Sequence, residues 1–316
     1  MVFSNVLFLT SGYDQVIKFW DPLSATCTRT IPYPESHVNT MALSSDKKYL
    51  LVGSNPNCRV FDVAKPGGNS ANTPVLVYQG HTGNVTAVGA QRDFKWIFTG
   101  SEDKKIKIWD TKHPRCRREY LNNSPINYAL LHPNQGEIWS IDQRGSLKIW
   151  DLVSDTCTQE LIPEEGVPGQ SISLCPLGSL AAMGNYKGNI YLWRLQGGTG
   201  GDQCELLPVA LIRAHSNSYI TKVLISPDGK RLASASRDGT IKIWSTLDFT
   251  LVRSLVGHSK WVWDVAFSAD SAYLISASSD QTAKLWDAAS GEVVRTYSGH
   301  EKAITALAMN DFVEVG

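Results

Sequence analysis

The chain has 316 residues, and its 30 Lys and Arg balance 30 Asp and Glu, so the formal net charge at pH 7 is zero. A neutral chain has no overall attraction to nucleic acid or anionic lipid, so we expect neither a nucleic-acid partner nor direct membrane insertion. The six cysteines form no Cys-x-x-Cys pair, which argues against a zinc ribbon and fits a reducing compartment. The early apolar run at residues 6–9 is too short for a signal peptide, and no run approaches the ~20 residues of a membrane span. We therefore predict a cytoplasmic protein.

One short pattern recurs along the chain: apolar, any residue, apolar, aromatic, and usually Asp. Its aromatic residues, mostly 41–43 residues apart, are Trp20, Phe61, Trp109, Trp150, Trp193, Trp244 and Trp286. A period of ~40–45 residues ending in Trp-Asp is typical of β-propeller blades with four strands each. Two longer steps contain the Gly-rich stretches 65–70 and 196–201, which we interpret as loops between third and fourth strands. The pattern predicts an all-β, seven-bladed propeller that fills residues 1–316 as one domain.

The strands follow from the alternation of apolar and polar residues. The chain begins with a second strand at residues 6–11, with no first strand before it. In the sixth repeat the predicted strands are residues 220–225, 231–236, 240–244 and 250–255. The chain ends with an additional first strand at residues 303–309. We predict that this last strand joins the first three strands to complete one blade, which would close the ring and remove the open sheet edges.

Four repeats carry His, Ser or Thr, Asp and Trp at fixed offsets. The sets are His81, Thr99, Asp103 and Trp109; His215, Ser234, Asp238 and Trp244; His258, Ser276, Asp280 and Trp286; and His300 with Thr10, Asp14 and Trp20. Ser, His and Asp together are typical of nucleophilic hydrolysis, but an enzyme has one such site and here the set repeats with the blade. We interpret the sets as buried hydrogen-bonded networks that fasten each blade, and we expect no catalytic residues, no cofactor and no metal.

The other three repeats depart from this pattern. The second has Phe61 in place of Trp, with Leu51 and Asn55 at the other positions. The fourth has Arg144 where Asp is expected, and the fifth has Lys187 and Met183. Loss of the network would make this side more compliant or free it for contacts, and the sequence leaves both alternatives open.

A partner is expected on the face formed by the loops that lead into each blade and by the turns between second and third strands. The residues predicted to ring the channel there are Asn39, Thr86, Asn127, Gln170, Thr221, Trp263 and Thr305. This ring contains no carboxylate and no His, which argues against a propeller enzyme with a metal or acid cluster in its channel. Trp261 and Trp263 are not used by the networks, so we predict that they bind a partner, with Tyr219, His37 and Asn39 as neighbours.

Several local motifs lie along nearly the whole chain: residues 11–14 with 19–20, 27–30, 124–127 with 132–135, 142–143 with 149–152, 261–263 and 277–280. In these motifs the sequence resembles the WD-repeat subunit of the target-of-rapamycin (TOR) kinase complexes, the lethal-with-sec-thirteen family. The resemblance implies a non-catalytic scaffold subunit, present in both TOR complexes with their other subunits. It would bind and stabilise the catalytic domain of a TOR-type Ser/Thr kinase in growth and nutrient signalling.

The resemblance further implies a cytoplasmic location, peripheral on endomembranes through the complex, and no small-molecule substrate. The alternative is a generic WD-repeat adaptor, such as a substrate receptor for another assembly. No motif fixes the residues that face the kinase.

Overall fold

The computed structural model describes residues 6–64, 72–196 and 205–310. These residues form 28 β-strands in seven antiparallel four-stranded sheets, each of which is one blade. Six blades take four consecutive strands, from β4–β7 (blade 2) to β24–β27 (blade 7), with each blade's first strand on one edge and its fourth strand on the other. The predicted all-β, seven-bladed propeller is confirmed.

The strands in chain order are β1 Leu7–Gly12, β2 Val16–Trp20, β3 Cys27–Pro32, β4 Thr40–Leu43, β5 Tyr49–Gly53, β6 Cys58–Asp62, β7 Leu76–Tyr78, β8 Val85–Ala90, β9 Trp96–Ser101, β10 Lys105–Asp110, β11 Cys116–Leu121, β12 Ile126–Leu131, β13 Glu137–Asp142, β14 Leu147–Asp151, β15 Thr156–Leu161, β16 Gly169–Leu174, β17 Leu180–Asn185, β18 Asn189–Gln196, β19 Glu205–Arg213, β20 Ile220–Ile225, β21 Arg231–Ser236, β22 Thr240–Ser245, β23 Leu251–Val256, β24 Val262–Phe267, β25 Tyr273–Ser278, β26 Thr282–Asp287, β27 Val293–Ser298 and β28 Ile304–Asn310.

Blade 1 is built from both ends of the chain, in the order β28-β1-β2-β3, as predicted. The backbone N–H of Tyr13 donates to the carbonyl of Ala303 over 3.0 Å where the two ends meet. A Cβ atom on Gly12 would lie 1.9 Å from the Ala303 oxygen. Glycine is therefore required for this close approach of the two backbones.

The predicted strand bounds of blade 6 are correct for β20 and β21, whereas β22 ends one residue later and β23 begins one residue later than expected. Apart from Gln196, the Gly-rich stretches 65–70 and 196–201 lie outside the described residues. They fall between β6 and β7 and between β18 and β19, which are the third and fourth strands of blades 2 and 5.

The apolar core is divided among the seven contacts between neighbouring blades. At the contact that closes the ring, Phe8 and Trp20 of blade 1 pack against Ile275 and Tyr297 of blade 7. Phe8 and Tyr297 are fully buried, with ring centroids 4.9 Å apart. Each blade thus buries both of its sheet faces against neighbours, so the ring contributes hydrophobic stabilisation at every contact.

A β-bulge occurs in the pairing of the first strand with the second in six of the seven blades. The residues skipped by the pairing are Thr86, Asn127, Gln170, Thr221, Trp263 and Thr305. A bulge re-aims the side chain of the unpaired residue. These six residues, together with Asn39, are the predicted channel ring, and all seven line one cavity at the channel mouth.

Candidate functional site

The upper face of the propeller consists of the loops that lead into each blade and the turns between second and third strands. The structure brings together all four predicted His–Asp sets beneath this face. In blade 7, His258 Nδ1 lies 2.7 Å from Asp280 Oδ2, and His258 Nε2 lies 2.7 Å from Ser276 Oγ. The indole N–H of Trp286 donates to the same Ser276 oxygen over 2.8 Å. The equivalent distances in the other three sets are 2.6–3.0 Å.

Local turn chemistry positions three of the four carboxylates, those of Asp103, Asp238 and Asp280. Asp280 Oδ1 accepts a hydrogen bond from the backbone N–H of Thr282 over 3.0 Å, and Gln281 between them has a φ of 72°. Asp favours such turns because its side chain can bond to the backbone two residues on. Since an ionised carboxylate only accepts, the His Nδ1 that faces it carries the proton. Nε2 of the neutral ring then accepts from the hydroxyl.

The electrostatics fit this assignment. Burial alone would raise the pKa of Asp238, but hydrogen bonds from His215 and Thr240 outweigh it and lower the pKa to about 2. The same balance, with His258 and His300 as the donors, lowers the pKa of Asp280 and of Asp14. Burial disfavours a charged imidazole and lowers the pKa of His81, an effect that Asp103 only partly offsets.

These sets cannot act as nucleophilic triads in this conformation. The hydroxyl-bearing residues Thr10, Thr99, Ser234 and Ser276 are all completely buried. A hydroxyl that no substrate can reach, and that already bonds to an indole and an imidazole, has no attacking role.

Blade 5 holds its incoming loop with a different network. Glu164, from that loop, accepts hydrogen bonds from Lys187 Nζ at 2.6 Å, Tyr191 OH at 2.8 Å, and Asn185 and Asn189 Nδ2 at 3.0 and 3.2 Å. The bonds from Lys187 and Tyr191 lower the pKa of Glu164 to about 2, against the opposing effect of partial burial. The acid here comes from the loop and the base from the turn, the reverse of the His–Asp sets.

Blades 2 and 4 also replace the missing network. In blade 4, Asn122 Nδ2 donates to Asp142 Oδ2 over 3.0 Å, and Trp150 still donates to Ser140. In blade 2, Tyr33 OH and Ser54 Oγ are 2.7 Å apart. The His–Asp network is absent from these blades as the sequence indicates, and other hydrogen bonds link loop and turn in its place.

A continuous row of side chains in contact crosses the upper face from blade 5 to blade 7. Tyr186 stacks on Tyr219 with centroids 4.6 Å apart, and the Arg237 guanidinium lies 4.5 Å from the Tyr219 centroid and 3.3 Å from that of Trp261. Trp261 then contacts Trp263, with centroids 5.6 Å apart. We call these five residues the aromatic row. Tyr219 is 39% and Trp261 38% exposed, so the row presents aromatic surface to solvent.

Both tryptophans lie outside the His–Asp networks, as predicted, but each also has contacts within the fold. Trp263 is half-buried, and its indole N–H donates to Ser279 Oγ over 2.6 Å. Trp261 packs on Arg237 of the neighbouring blade. Tyr186 and Arg237 were missed by sequence reasoning, although both occupy the same position in the second turn of their blades, directly after β17 and β21. Comparing these turns between repeats would have found them.

His37 and Asn39 lie across the channel mouth from most of the aromatic row. His37 is half-buried, with its ring 5.0 Å from that of Tyr13, which is 41% exposed. Tyr13, Asn39 and Trp263 line the same cavity of about 230 Å³ at the upper end of the channel, which we call the vestibule. The vestibule therefore joins the two groups of predicted partner-binding residues.

Four residues of the channel ring fasten neighbouring blades. Thr86, Asn127, Thr221 and Thr305 each donate a side-chain hydrogen bond of 2.6–2.7 Å to a backbone carbonyl of the next blade. The accepting carbonyl always belongs to the residue just before that blade's own ring residue. Four of the seven ring side chains are thus already engaged in hydrogen bonds within the protein.

The channel also holds charges that the sequence argument missed. One residue beyond the ring, Lys222 Nζ lies 2.9 Å from Tyr128 OH and 3.4 Å from Asp264 Oδ1, bridging blades 4, 6 and 7 across the channel. Burial alone would lower the pKa of Lys222, but Asp264 and Tyr128 raise it above its ordinary value. The ring contains no carboxylate, yet the channel does, so the sequence argument against an acidic channel was incomplete. Here the carboxylate is paired with a cation.

Among the described residues, no group of three or more His, Cys, Asp or Glu side chains could hold a metal ion. Within residues 6–64, 72–196 and 205–310, no helix is both long and apolar enough to cross a membrane.

The fold and its repeats define a WD-repeat β-propeller. The sequence matches the family described as "WD domain, G-beta repeat" at residues 25–62, 72–110, 207–245 and 249–287. Each matched stretch runs from the fourth strand of one blade to the third strand of the next, so the sequence repeat straddles two blades.

Curated relatives place the chain more narrowly. It is 48% identical to the target of rapamycin complex subunit wat1 of Schizosaccharomyces pombe over 78% of the chain and 77% of that protein. It is 45% identical to target of rapamycin complex subunit LST8 of Saccharomyces cerevisiae, covering 80% and 82% of the two sequences. It is 39% identical to target of rapamycin complex subunit LST8 of Bos taurus over 79% of the chain and 76% of that protein. The chain belongs to the LST8 family.

Proposed function

We propose that this protein is a non-catalytic subunit of TOR complexes that binds and stabilises the catalytic domain of a TOR-type Ser/Thr kinase through its upper face. Its relatives are named as subunits of target of rapamycin complexes, which supports the assembly. The observation that supports docking through the upper face is the aromatic row. In that row, Tyr219 and Trp261 offer solvent-exposed aromatic area at low conformational cost.

The chemistry of the row suits a protein partner. Aromatic residues and Arg are enriched at the centres of protein interfaces, and the three-layer stack of Tyr219, Arg237 and Trp261 is already ordered in the free protein. A pre-ordered surface loses little side-chain entropy on binding. The proposed contacts are Trp261, Trp263, Tyr219, His37 and Asn39. We add Tyr186 and Arg237 because they belong to the aromatic row.

The test is the affinity of purified variants for the catalytic domain of the TOR kinase from the same organism. Trp261→Ala is expected to weaken binding at least about tenfold, as central interface aromatics do. The matched control is Leu247→Ala, because Leu247 is 91% exposed and lies in the turn between β22 and β23 on the opposite face. It should bind like the parent, and both variants should keep nearly the parental melting temperature.

Equal binding by Trp261→Ala and the parent would reject the aromatic row as the docking surface. Affinity purification followed by mass spectrometry tests the assembly itself, because a TOR kinase must then be found among the stable partners. Its absence would leave this propeller as an adaptor for another assembly.

A further inference from the structure

Trp263 is held differently from the four ring residues that fasten neighbouring blades. Those four each donate to a backbone carbonyl of the next blade. The indole N–H of Trp263 instead donates to Ser279 Oγ over 2.6 Å, and both residues belong to blade 7. Ser279 lies in the turn between β25 and β26, which is part of the upper face. The hydrogen bond therefore directs the Trp263 indole to the upper turn of its own blade.

Ser279 holds both tryptophans of this segment. Its backbone N–H donates to the Trp261 carbonyl over 2.8 Å. The same backbone bond is present in blade 6, where Arg237 donates to the Tyr219 carbonyl over 3.0 Å, so it is a feature of the repeat. The bond between the Ser279 hydroxyl and the Trp263 indole is added to it in blade 7.

Other blades carry a large side chain at this turn position. Ser279 directly follows β25, as Tyr186 follows β17 and Arg237 follows β21. Tyr186 and Arg237 provide part of the aromatic row with their own side chains. Ser279 has no ring or guanidinium to contribute, and in blade 7 the side chain that ends the row is Trp263. This turn position thus shapes the upper face either by joining the row or by holding one of its members.

The orientation of Trp263 matters because this residue connects two parts of the upper face. Its ring contacts Trp261, with centroids 5.6 Å apart, and it also lines the vestibule. Trp263 is only half-buried, so packing encloses part of the side chain and the hydrogen bond adds a directional constraint. A side chain that is ordered before binding loses less conformational entropy in the complex.

We propose that Ser279 is a positioning residue of the docking surface, whose hydroxyl fixes the Trp263 indole in the orientation that the partner binds. Ser279 acts through Trp263 and needs no contact with the partner. The inference rests on the proposed function for its effect on binding. Its effect on the indole can be measured in the free protein.

The first measurement is made without the kinase, on protein with ¹⁵N-labelled tryptophan indoles. The Trp263 resonance is identified by its absence from Trp263→Phe. In Ser279→Ala this N–H should exchange with solvent faster than in the parent, because its acceptor is gone. Ser279→Thr keeps a hydroxyl and should keep the slow exchange. Unchanged exchange in Ser279→Ala would overturn the inference.

The matched control is Ser290→Ala, the same chemical change in the exposed lower turn of blade 7, between β26 and β27. It should leave the exchange of the Trp263 indole unchanged. Both serine variants should melt close to the parent, because both positions lie in surface turns. A faster exchange in Ser290→Ala would attribute the effect to blade 7 as a whole and would overturn the role of Ser279.

The second measurement is affinity for the TOR kinase catalytic domain. Ser279→Ala should bind about fivefold more weakly, as expected when one more side chain must be immobilised on binding, and Ser279→Thr should bind like the parent. In a Trp263→Phe background, which has no indole N–H, Ser279→Ala should cause no further loss. An equal loss in both backgrounds would show that Ser279 acts independently of Trp263 and would overturn the inference.

The outcomes separate the two proposals. If Trp261→Ala weakens binding and Ser279→Ala does not, the positioning role is overturned while the docking face stands. If neither variant weakens binding, the docking face itself is rejected, and the positioning role falls with it.

Discussion

Blades 5 and 6 are neighbours that fasten their incoming loops with opposite chemistry. In blade 6 the loop supplies His215 and the turn supplies Asp238, with 2.8 Å between Nδ1 and Oδ2. In blade 5 the loop supplies Glu164 and the turn supplies Lys187, with 2.6 Å between Oε1 and Nζ. What the two blades share is a charge-assisted bond between loop and turn, not a residue type.

The two bonds differ in burial, and burial determines how much the loss of each bond lowers the stability of the protein. The side chain of His215 is completely buried, whereas 61% of the Lys187 side chain is exposed. Removing one partner of a buried pair leaves the other unsatisfied, but water can replace a lost partner at the surface. The His–Asp blades should therefore be the sensitive ones and blade 5 the tolerant one.

The largest effect is expected from Asp280→Ala, which strands the completely buried side chain of His258. We expect a loss of about 3 kcal/mol in the free energy of unfolding. Urea denaturation measures it, with Asp248→Ala on the exposed turn of blade 6 as the control. Equal stability of the two variants would mean that the network contributes nothing to stability.

A smaller effect is expected from Lys187→Asp, which installs in blade 5 the residue that the His–Asp blades carry at this turn position. The new carboxylate would face Glu164, and the repulsion should lower stability by about 1 kcal/mol, because the position is exposed. Lys187→Gln separates loss of the ion pair from repulsion and should fall between parent and Lys187→Asp. A rise in melting temperature for Lys187→Asp would show that Glu164 does not anchor the loop.

The smallest effect is a pH dependence carried by His81, whose pKa is lowered by burial. The unfolded chain takes up a proton near the ordinary value of ~6.5, before the folded chain does. The stabilisation from His81 is therefore complete above the pKa of the unfolded chain. It is lost as the pH falls toward the lower pKa of His81 in the folded protein. Melting temperatures of parent and His81→Gln at pH 7.5 and 5.5 measure it. Between pH 7.5 and pH 5.5 the melting temperature of the variant should fall less than that of the parent. Equal falls would contradict the assignment of this pH dependence to His81.

The sequence was sufficient for the fold and for four networks because both repeat. Seven aromatic residues at one period determine the blades, and fixed offsets bring His258 to Asp280 and Ser276 without any knowledge of the packing. The periodic pattern does not reveal the network in a blade that fastens its incoming loop with other residue types. Glu164 and Asn122 were missed for that reason, since each occupies the offset of a loop histidine but is not His.

The positions of Tyr186 and Arg237 could have been found by comparing the repeats, but not which side chains they stack on, because that depends on contacts between blades. The guanidinium of Arg237 lies between Tyr219 and Trp261 only because blades 6 and 7 are adjacent at a particular rotation. The bridge from Lys222 to Tyr128 likewise spans the channel between blades that are far apart in sequence. Such contacts require the closed ring and not the repeat alone.

The pairing of β28 with β1 has a consequence for biosynthesis. These strands lie nearly three hundred residues apart in the chain, yet they are neighbours in one sheet. At a translation rate of ~5–20 residues per second, β1 waits on the order of 15–60 s for its partner to emerge from the ribosome. During that interval the edge of β1 and the buried ring of Phe8 have no native cover. A nascent chain that stalls before residue 304 keeps the edge of β1 open to pairing with other chains. The edge is covered only after β28 has been synthesised.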